Sequence, residues 1–339
     1  MQDTLRCDFC FHKCLLHEQE SGPCGVRKNI GGKISTLGYG QIVASGIDPI
    51  EKKPMYHFFP GSRTFSFALF GCNYTCGFCQ NNRISQTDSP YWPASPGYRT
   101  LPVATPQQMF AMMEHSGTSI MSYTYSEPIV WQDYMFETAQ LVHEAGKFNC
   151  MVTNGSFSPV SLERALNHID AFNIDVKGDD QFYRHHCAGA LGPVLDAVEA
   201  IASEQAKVLE VTTLLIEGIH TRHQVEELAA QLHRRGVQVW HLSRFFPQYH
   251  MADRPATSER FLAEMLQAAQ DSGIPHVYSG NSGLLSYSQT TCPSCHRILI
   301  KAHSYAGEAR EDVRKLIKDG HCSYCGTTVY GRFDQRPTG

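Results

Sequence analysis

The apolar run Thr64-Phe65-Ser66-Phe67-Ala68-Leu69-Phe70 leads directly into the stretch Gly71-Cys72-Asn73-Tyr74-Thr75-Cys76-Gly77-Phe78-Cys79. The apolar run predicts a strand, so the cysteines lie in the loop at its carboxyl end. Three thiolates so close together can hold one face of a cubic [4Fe–4S] cluster, which keeps one iron open to an outside ligand. An open position is typical of a catalytic centre; the alternative is a zinc or iron–sulfur site whose fourth ligand is a distant Cys or His.

Outward from this stretch, strand and helix patterns alternate along the chain. The candidate strands are residues 64–70, 119–125, 148–153, 172–176, 208–216 and 238–245, and segments with helical spacing separate them. Such alternation indicates βαβ units and a parallel sheet. Repetition of the unit favours a complete or partial barrel with its chemistry at the carboxyl ends of the strands. An open doubly wound sheet is the competing architecture.

The composition narrows the class of protein. The 339 residues carry 29 basic and 33 acidic side chains, a net charge of −4, with no long run of either sign. This balance argues against a nucleic-acid-binding surface and against a polybasic membrane patch. No stretch reaches the roughly 18 apolar residues that span a bilayer, and the amino terminus lacks a signal-peptide pattern. We therefore expect a cytoplasmic protein with neither a nucleic-acid nor a membrane partner.

The chain contains thirteen cysteines, and in a reducing compartment clustered cysteines more often bind metals than form disulfides. A first group has the density of a zinc knuckle or a ferredoxin-like cluster, and its members are Cys7, Cys10, Cys14 and Cys24. A last group has the form of a zinc ribbon, and its members are Cys292, Cys295, Cys322 and Cys325. For this last group structural zinc is favoured over an auxiliary [4Fe–4S] cluster. These groups divide the chain into residues 1–63, 64–285 and 286–339.

Two cysteines stand outside the groups. Cys150 lies inside a candidate strand and is predicted to be a small core residue. Cys187 lies in the loop after the fourth strand, on the catalytic side. It is therefore a candidate hydrogen donor or radical relay, with a packing role as the alternative.

The spacing Cys-x3-Cys-x2-Cys, with an aromatic residue before the last cysteine, resembles the motif of the radical S-adenosylmethionine (radical SAM) superfamily. The resemblance implies that Cys72, Cys76 and Cys79 hold a [4Fe–4S] cluster whose open iron binds the amino and carboxylate groups of SAM. An electron from the cluster then cleaves the bond between sulfur and C5′, giving methionine and a 5′-deoxyadenosyl radical that abstracts hydrogen. The resemblance also places Phe78 near the adenine.

Further positions resemble SAM-binding motifs of the superfamily. The segment Thr124-Tyr125-Ser126-Glu127-Pro128 stands where these enzymes carry Gly-Gly-Glu-Pro, which implies contacts from Ser126 and Glu127 to the SAM amino group. The alternative is a helix cap. Asp175-Val176-Lys177 resembles the Asp-Leu-Lys of the pyruvate formate-lyase activating enzyme group. The remaining candidates are Asn154, which closes the third strand and could form only a turn, and Arg244, for the SAM carboxylate or the substrate.

Motifs outside the predicted barrel resemble one family within the superfamily, the radical SAM enzyme of the AmmeMemoRadiSam system. They include the first and last cysteine groups and the segment Asp48-Pro49-Ile50-Glu51-Lys52-Lys53-Pro54. The resemblance implies a partial (β/α)6-type radical SAM barrel with an N-terminal cysteine-rich segment and a C-terminal zinc-ribbon-like module. It also implies SAM, an unidentified substrate, an electron donor such as flavodoxin or ferredoxin, and Memo-type and AMMECR-type partner proteins.

Two other functions are compatible with these motifs. The first is a glycyl-radical enzyme activase, which installs a radical on a backbone glycine of a partner protein. The second lies outside catalysis: an iron–sulfur electron-transfer or redox-sensing protein, whose clusters would be fully ligated and indifferent to SAM.

Overall fold

A computed structural model describes residues 4–89, 92, 101, 103–301 and 309–333. Before the main sheet, the cysteine-rich segment forms two small antiparallel hairpins. The first pairs β1 (Leu5–Arg6) with β2 (Leu15–Leu16), and the second pairs β3 (Arg27–Ile30) with β4 (Lys33–Thr36). In the first hairpin the Cys7 N–H donates to the Cys14 carbonyl over 2.8 Å, so two of the predicted ligands lie side by side.

Eight strands form the main sheet, and seven of them run parallel. In chain order they are β5 (Ala44–Pro49), β6 (Arg63–Ala68), β7 (Ile120–Tyr123), β8 (Phe148–Thr153), β9 (Ala171–Asp175), β10 (Val208–Leu215), β11 (Val239–Arg244) and β12 (His276–Gly280). Each strand pairs with the next along the chain, and only the β5–β6 pairing is antiparallel. In the described part of the chain β5 and β12 do not pair with each other, so the sheet is an open, partial barrel.

All six predicted strands are present in this sheet, and its two edge strands, β5 and β12, were not predicted. The inner positions of β12 carry His276 and Tyr278 rather than aliphatic side chains, which hides the apolar pattern of a strand. Strand β5 has the sequence Ala-Ser-Gly-Ile-Asp-Pro, whose Gly and Pro are both depleted in strands. It belongs to residues 1–63 in sequence but to the barrel sheet in space.

Helices connect the parallel strands and cover the sheet. They are α1 (Asn82–Ser85), α2 (Pro106–His115), α3 (Gln132–Glu144), α4 (Pro159–His168), α5 (Asp180–Phe182), α6 (Gly192–Ala202), α7 (Arg222–Arg234) and α8 (Glu259–Asp271). Local sequence fixes where α2 and α7 begin. The side chains of Thr105 and Thr221 each accept a hydrogen bond from the N–H of a glutamine three residues later, and the side chain of that glutamine accepts one from the threonine N–H. None of the helices in the described residues is both long enough and apolar enough to span a bilayer.

The C-terminal module has its own small core. It contains β13 (Thr290–Thr291), β14 (Ile298–Ile300), α9 (Ala309–Leu316), β15 (Ile317–Lys318) and β16 (His321–Cys322). The buried side chains that pack together there include Cys292, Leu299, Ile300 and Cys322. The barrel core is a separate and much larger cluster that lies between the sheet and its helices.

Candidate active site

A cavity of about 320 Å³ opens at the carboxyl ends of the parallel strands, where this architecture places its ligands. Nine of the residues predicted from the sequence line it: Cys72, Cys76, Phe78, Cys79, Ser126, Glu127, Asn154, Asp175 and Lys177. They lie at or just beyond the carboxyl ends of β6, β7, β8 and β9, so the parallel sheet brings four separate sequence motifs to one place. The volume is within the range of small-molecule sites.

The three cysteines of the loop after β6 are held by local hydrogen bonds. Cys72 Sγ accepts from the Tyr74 N–H at 3.4 Å, and Cys79 Sγ lies 3.1 Å from Ser85 Oγ. Burial raises the pKa of Cys72 well above its ordinary value and also raises that of Cys79. Three buried thiols become thiolates only beside a compensating positive charge, which bound iron would supply.

The spacing of these thiols fits a cluster rather than a single ion. Among the described residues only the C-terminal cysteine group brings three or more Cys, His, Asp or Glu ligand atoms all within 4.8 Å of one another. The thiols of Cys72, Cys76 and Cys79 therefore do not all lie within that distance of one another. The thiolates of a cubane bind different iron atoms and stand farther apart, so the three residues fit a [4Fe–4S] cluster.

Glu127 lies between the ends of β7 and β8 with its carboxylate buried. It accepts from Thr153 Oγ1 at 2.6 Å, from the Asn154 N–H at 2.8 Å and from the Ile129 N–H at 3.1 Å. Burial raises the pKa of Glu127 to about 7, although these hydrogen bonds oppose the rise. The contact with Ile129 caps the 3₁₀ helix Pro128–Trp131. Glu127 is therefore both the helix cap that the sequence suggested and a residue of the cavity wall.

The other members of the same motif have structural partners as well. Ser126 Oγ donates to the Leu69 carbonyl and accepts from Trp131 Nε1. Tyr125 adopts a φ of 67°, which is rare for an aromatic residue and often accompanies a functional site. The Asn81 side chain donates to the Tyr125 carbonyl at 2.7 Å and fixes this turn against the cysteine loop.

Asp175 and Lys177 form an ion pair at the end of β9, with Lys177 Nζ 2.8 Å from Asp175 Oδ2. Burial alone would lower the pKa of Lys177, but the negative charge of Asp175 beside it works in the other direction, and that pKa is held well above its ordinary value. Lys177 is thus a fixed cation beside the cysteine loop. It can offset part of the negative charge of three thiolates.

Several other residues of the cavity wall were not among the predicted site residues, and they include Lys53, Tyr125, Thr212 and Asn281. Lys53 Nζ pairs with Asp48 Oδ2 at 2.8 Å, and Tyr125 Oη donates to the same oxygen at 2.6 Å. Although burial works in the other direction, the hydrogen bonds from Lys53 and Tyr125 lower the pKa of Asp48 to about 2. The run Glu51-Lys52-Lys53 was a visible signal, since charge so dense is unusual in a connecting loop.

Thr212, on β10, carries an unsatisfied hydroxyl. Its Oγ1 is buried and has no hydrogen-bond partner among the described residues, although the side chain lines the cavity. A buried polar atom without a partner is costly unless a ligand or water completes it. This hydroxyl can therefore form a hydrogen bond with a polar ligand in the cavity.

Two predicted site residues lie outside the cavity wall. Arg244 Nε donates to the Thr257 carbonyl at 2.7 Å, and its Nη1 lies 3.5 Å from Glu259, while its neighbour Ser243 lines the cavity instead. Cys187 is fully buried in the π-helical turn Tyr183–Cys187. Its carbonyl accepts from the Thr75 N–H at 3.0 Å, so Cys187 lies behind the cysteine loop.

The two cysteine quartets differ in geometry. In the C-terminal quartet Cys292 Sγ lies 3.6 Å from Cys325 Sγ, and Cys295 Sγ lies 3.8 Å from Cys322 Sγ. Four thiolates placed tetrahedrally at Zn–S bonds of about 2.3 Å stand roughly 3.8 Å apart, so this group fits one zinc ion. The N-terminal quartet surrounds a small cavity of its own and does not converge in this way.

Comparison with known proteins agrees with this geometry. A family model described as the radical SAM superfamily matches residues 68–232. An uncharacterised protein of Methanocaldococcus jannaschii is 33% identical over 332 residues, which cover 96% of this chain and 95% of that protein.

Among solved structures, the chain is similar to Streptococcus suis SuiB bound to its precursor peptide SuiA, with a TM-score of 0.50 and 12% identity over 70% of this chain and 52% of SuiB. It also resembles a domain of pyruvate-formate lyase-activating enzyme from Bacteroides vulgatus, with a TM-score of 0.41 and 15% identity over 47% of this chain and 98% of that domain. The chain thus spans about half the length of SuiB. At these identities the SuiB likeness shows a shared fold.

Proposed function

The chain belongs to the radical SAM superfamily and is a radical SAM enzyme, and from that premise we propose which residues hold its cofactors and what they do. Cys72, Cys76 and Cys79 hold a [4Fe–4S] cluster, and SAM occupies the cavity beside it. One observation carries the proposal: nine residues from four separate motifs line a single cavity, and the three thiols on its wall leave a fourth ligand position open.

When bound, the cluster and SAM supply the chemistry: one electron cleaves the bond between sulfur and C5′ and yields methionine and a 5′-deoxyadenosyl radical. The residues of this chain bind and orient the cluster and SAM, and they exclude water from the cavity. Glu127 and Ser126 hold the SAM amino group, and Phe78, packed 5.6 Å from Phe182 between ring centres, provides an apolar face for the adenine. The Thr212 hydroxyl supplies one further hydrogen bond.

The substrate is a molecule from which this radical abstracts hydrogen. Two of the lysines of the wall, Lys53 and Lys177, are each held by a carboxylate, at 2.8 Å in both pairs. From the resemblance of the sequence motifs we further propose a cytoplasmic enzyme that works with Memo-type and AMMECR-type proteins and receives electrons from a flavodoxin or ferredoxin. At the C-terminal quartet we propose zinc, which the spacing of its sulfurs supports.

The test is SAM cleavage by anaerobically reconstituted protein. Incubation with dithionite and SAM should give 5′-deoxyadenosine, and a Cys76→Ala variant should lose this product and the iron of the catalytic site while it keeps metal at the outer quartets. Cys150→Ala is the matched control, because Cys150 is equally buried but lies outside all three cysteine groups. An intact cluster that forms no 5′-deoxyadenosine would refute catalysis and favour an electron-transfer or redox-sensing protein.

Electron paramagnetic resonance of candidate partners separates two classes of substrate. A glycyl radical that appears on a partner protein after incubation would identify an activase. Transfer of hydrogen from a small molecule into 5′-deoxyadenosine would identify a small-molecule enzyme.

A further inference from the structure

We propose that Lys52 and Lys53 form an anion-binding site at the end of the cavity opposite the cysteine loop, and that the substrate carries a carboxylate or phosphate group which binds there. The inference rests on the proposed function and deepens it, because it names the class of substrate. Three observations carry it: the way in which the chain closes the barrel, the buried ammonium group of Lys53, and the excess of positive charge around that group.

The chain closes the barrel from the amino ends of the parallel strands. Strand β5 runs antiparallel to β6, so the chain leaves β5 at that end. Residues 53–57, which we call the floor segment, then contact the sheet from inside. The Pro54 carbonyl accepts from the Asn173 side chain at 2.9 Å, and the His57 N–H donates to Glu210 at 2.7 Å. Both partners lie two residues before cavity-lining positions of β9 and β10, on the same face of the sheet.

Lys53 is the residue of the floor segment that reaches the cavity. Its side chain is only 3% exposed, and its Nζ donates to Asp48 Oδ2 at 2.8 Å and to Tyr125 Oη at 3.3 Å. An ammonium group has three N–H donors, and these two oxygens accept from two of them. Burial lowers the pKa of Lys53, and the Asp48 carboxylate opposes this change. An oxyanion in the cavity would favour the charged form of Lys53 further.

Positive charge exceeds negative charge at this end of the cavity. The Asp48 carboxylate is shared, because its Oδ1 lies 3.5 Å from Lys52 Nζ while its Oδ2 binds Lys53. Glu51, next to Lys52 in the chain, accepts from the Gly61 N–H at 2.5 Å. One carboxylate therefore faces two ammonium groups, and both lysines line the cavity. Since a buried charge is costly unless it is paired, an anionic ligand would stabilise this arrangement.

Tyr125 orients the ammonium group of Lys53 at a cost to the backbone. Its φ of 67° is unfavourable for any residue with a side chain, and such strain often accompanies a functional site. The Tyr125 ring centre lies 4.4 Å from Lys53 Nζ, and Tyr125 Oη donates to Asp48 at 2.6 Å. The Tyr125 carbonyl accepts from Asn81, two residues after Cys79, at 2.7 Å. Tyr125 thus connects the lysine pair to the cysteine loop.

The lysine pair is separate from the groups that we propose for SAM. Ser126 and Glu127 come from the carboxyl end of β7, whereas the two lysines come from the opposite end of the sheet. Lys177 has a carboxylate of its own, Asp175, at 2.8 Å. The excess of positive charge therefore lies on the floor, where a second ligand can share the cavity with SAM.

Binding of two small anions tests the proposal, with full-length protein that carries its cluster and is saturated with SAM, without reductant. Inorganic phosphate and acetate are titrated in separate calorimetric experiments. At least one should bind with a dissociation constant of about 1 mM, which suits ligands of four or five heavy atoms. The stronger binder distinguishes a phosphate-bearing from a carboxylate-bearing substrate. Acetamide, the neutral counterpart of acetate, should not bind.

Substitutions assign the binding to the lysine pair. Lys53→Met should weaken anion binding at least tenfold, and Lys53→Arg should keep it within about threefold. Lys147→Met is the matched control and should leave anion binding unchanged, because Lys147 is also partly buried and paired with a carboxylate, Glu114, but lies outside the cavity wall. If Lys53→Met fails to fold, Lys52→Met decides; its side chain is half exposed, and its loss should weaken binding about threefold.

A wild-type protein that binds neither anion would overturn the proposal, and so would anion affinity that a folded Lys53→Met or Lys52→Met variant retains in full. Binding of acetamide as tight as that of acetate would also contradict it. Failure of the proposed function is distinguishable, because the wild-type protein would then form no 5′-deoxyadenosine with dithionite and SAM, whether or not it binds anions. Formation of 5′-deoxyadenosine by a protein that binds neither anion would refute the anion site alone.

Discussion

Glu127 is a carboxylate that three donors hold in a buried position, and its ionisation makes the stability of the chain depend on pH. Burial raises its pKa from 4.5 to about 7. Between these values the folded chain holds a proton that the unfolded chain has released, so its contribution to stability is present at low pH and is lost as the pH rises through about 7. The full contribution is on the order of 3 kcal/mol.

Glu127→Gln should remove this dependence. Urea unfolding of both proteins between pH 5 and 8 should show the wild-type free energy of unfolding falling relative to the variant as the pH rises. The variant should also bind SAM more weakly, because an amide cannot accept from the SAM amino group and three protein donors as a carboxylate does. Parallel stability curves over this range would contradict the assignment.

The Thr212 hydroxyl gives a prediction in which stability and binding change in opposite directions. Thr212→Val replaces a buried, unpartnered hydroxyl by a methyl group of the same shape. We expect the free energy of unfolding to stay the same or rise by up to about 1 kcal/mol, while SAM affinity falls about fivefold with the loss of one hydrogen bond. Urea unfolding and equilibrium binding of SAM measure the two effects.

Thr213→Val is the matched control on the same strand. The Thr213 hydroxyl donates to the Val176 carbonyl at 2.6 Å and accepts from Trp240 Nε1 at 2.9 Å. Its removal should lower stability by about 1–3 kcal/mol and leave SAM affinity unchanged. If Thr212→Val instead lost stability like this control, its hydroxyl would have a structural partner.

Among the elements, the π-helical turn Tyr183–Cys187 supports the catalytic loop from behind. Carbonyls of Cys187 and His186 accept from the N–H groups of Thr75 and Gly77 at 3.0 and 3.2 Å. These contacts are made by the backbone, so Cys187→Ala should preserve them, with full iron content and 5′-deoxyadenosine formation within about twofold. We expect a loss of about 1 kcal/mol of stability from the small space left behind. Loss of 5′-deoxyadenosine formation to the level of Cys76→Ala would instead make the thiol essential.

The elements also show what sequence can and cannot predict. The cysteine loop and the strand ends carrying Glu127, Asn154 and Asp175 are local features, and parallel pairing brings the ends together automatically. Strand β12 was missed because His276 and Tyr278 occupy its inner positions. Lys53 and Asn281 reach the cavity from distant parts of the chain, and the guanidinium of Arg244 bonds the Thr257 carbonyl. Such contacts depend on tertiary packing, which no local pattern encodes.

In the molecule as a whole, the C-terminal module contacts the barrel at the amino ends of the strands, away from the cavity. Tyr330 Oη accepts from the Leu209 N–H at 2.7 Å, and the Tyr330 carbonyl lies 2.6 Å from His57 Nδ1. His57 also contacts Tyr278, and the His57 N–H donates to Glu210 at 2.7 Å. The module thus completes a buried polar network beneath the active site.

From this arrangement we expect metal at the C-terminal quartet to stabilise the whole chain rather than to take part in catalysis. A structural zinc site can contribute roughly 10–16 kcal/mol of folding free energy, more than the small core around Leu299 and Ile300 can replace. Cys322→Ala should lose zinc, lower Tm, and remove hydrogen-exchange protection at Leu209 and His57. Iron content and 5′-deoxyadenosine formation below the new Tm should not change. Ser323→Ala, which alters a neighbouring residue that is not a ligand, is the control, and loss of iron together with zinc would show that the quartet holds a cluster instead.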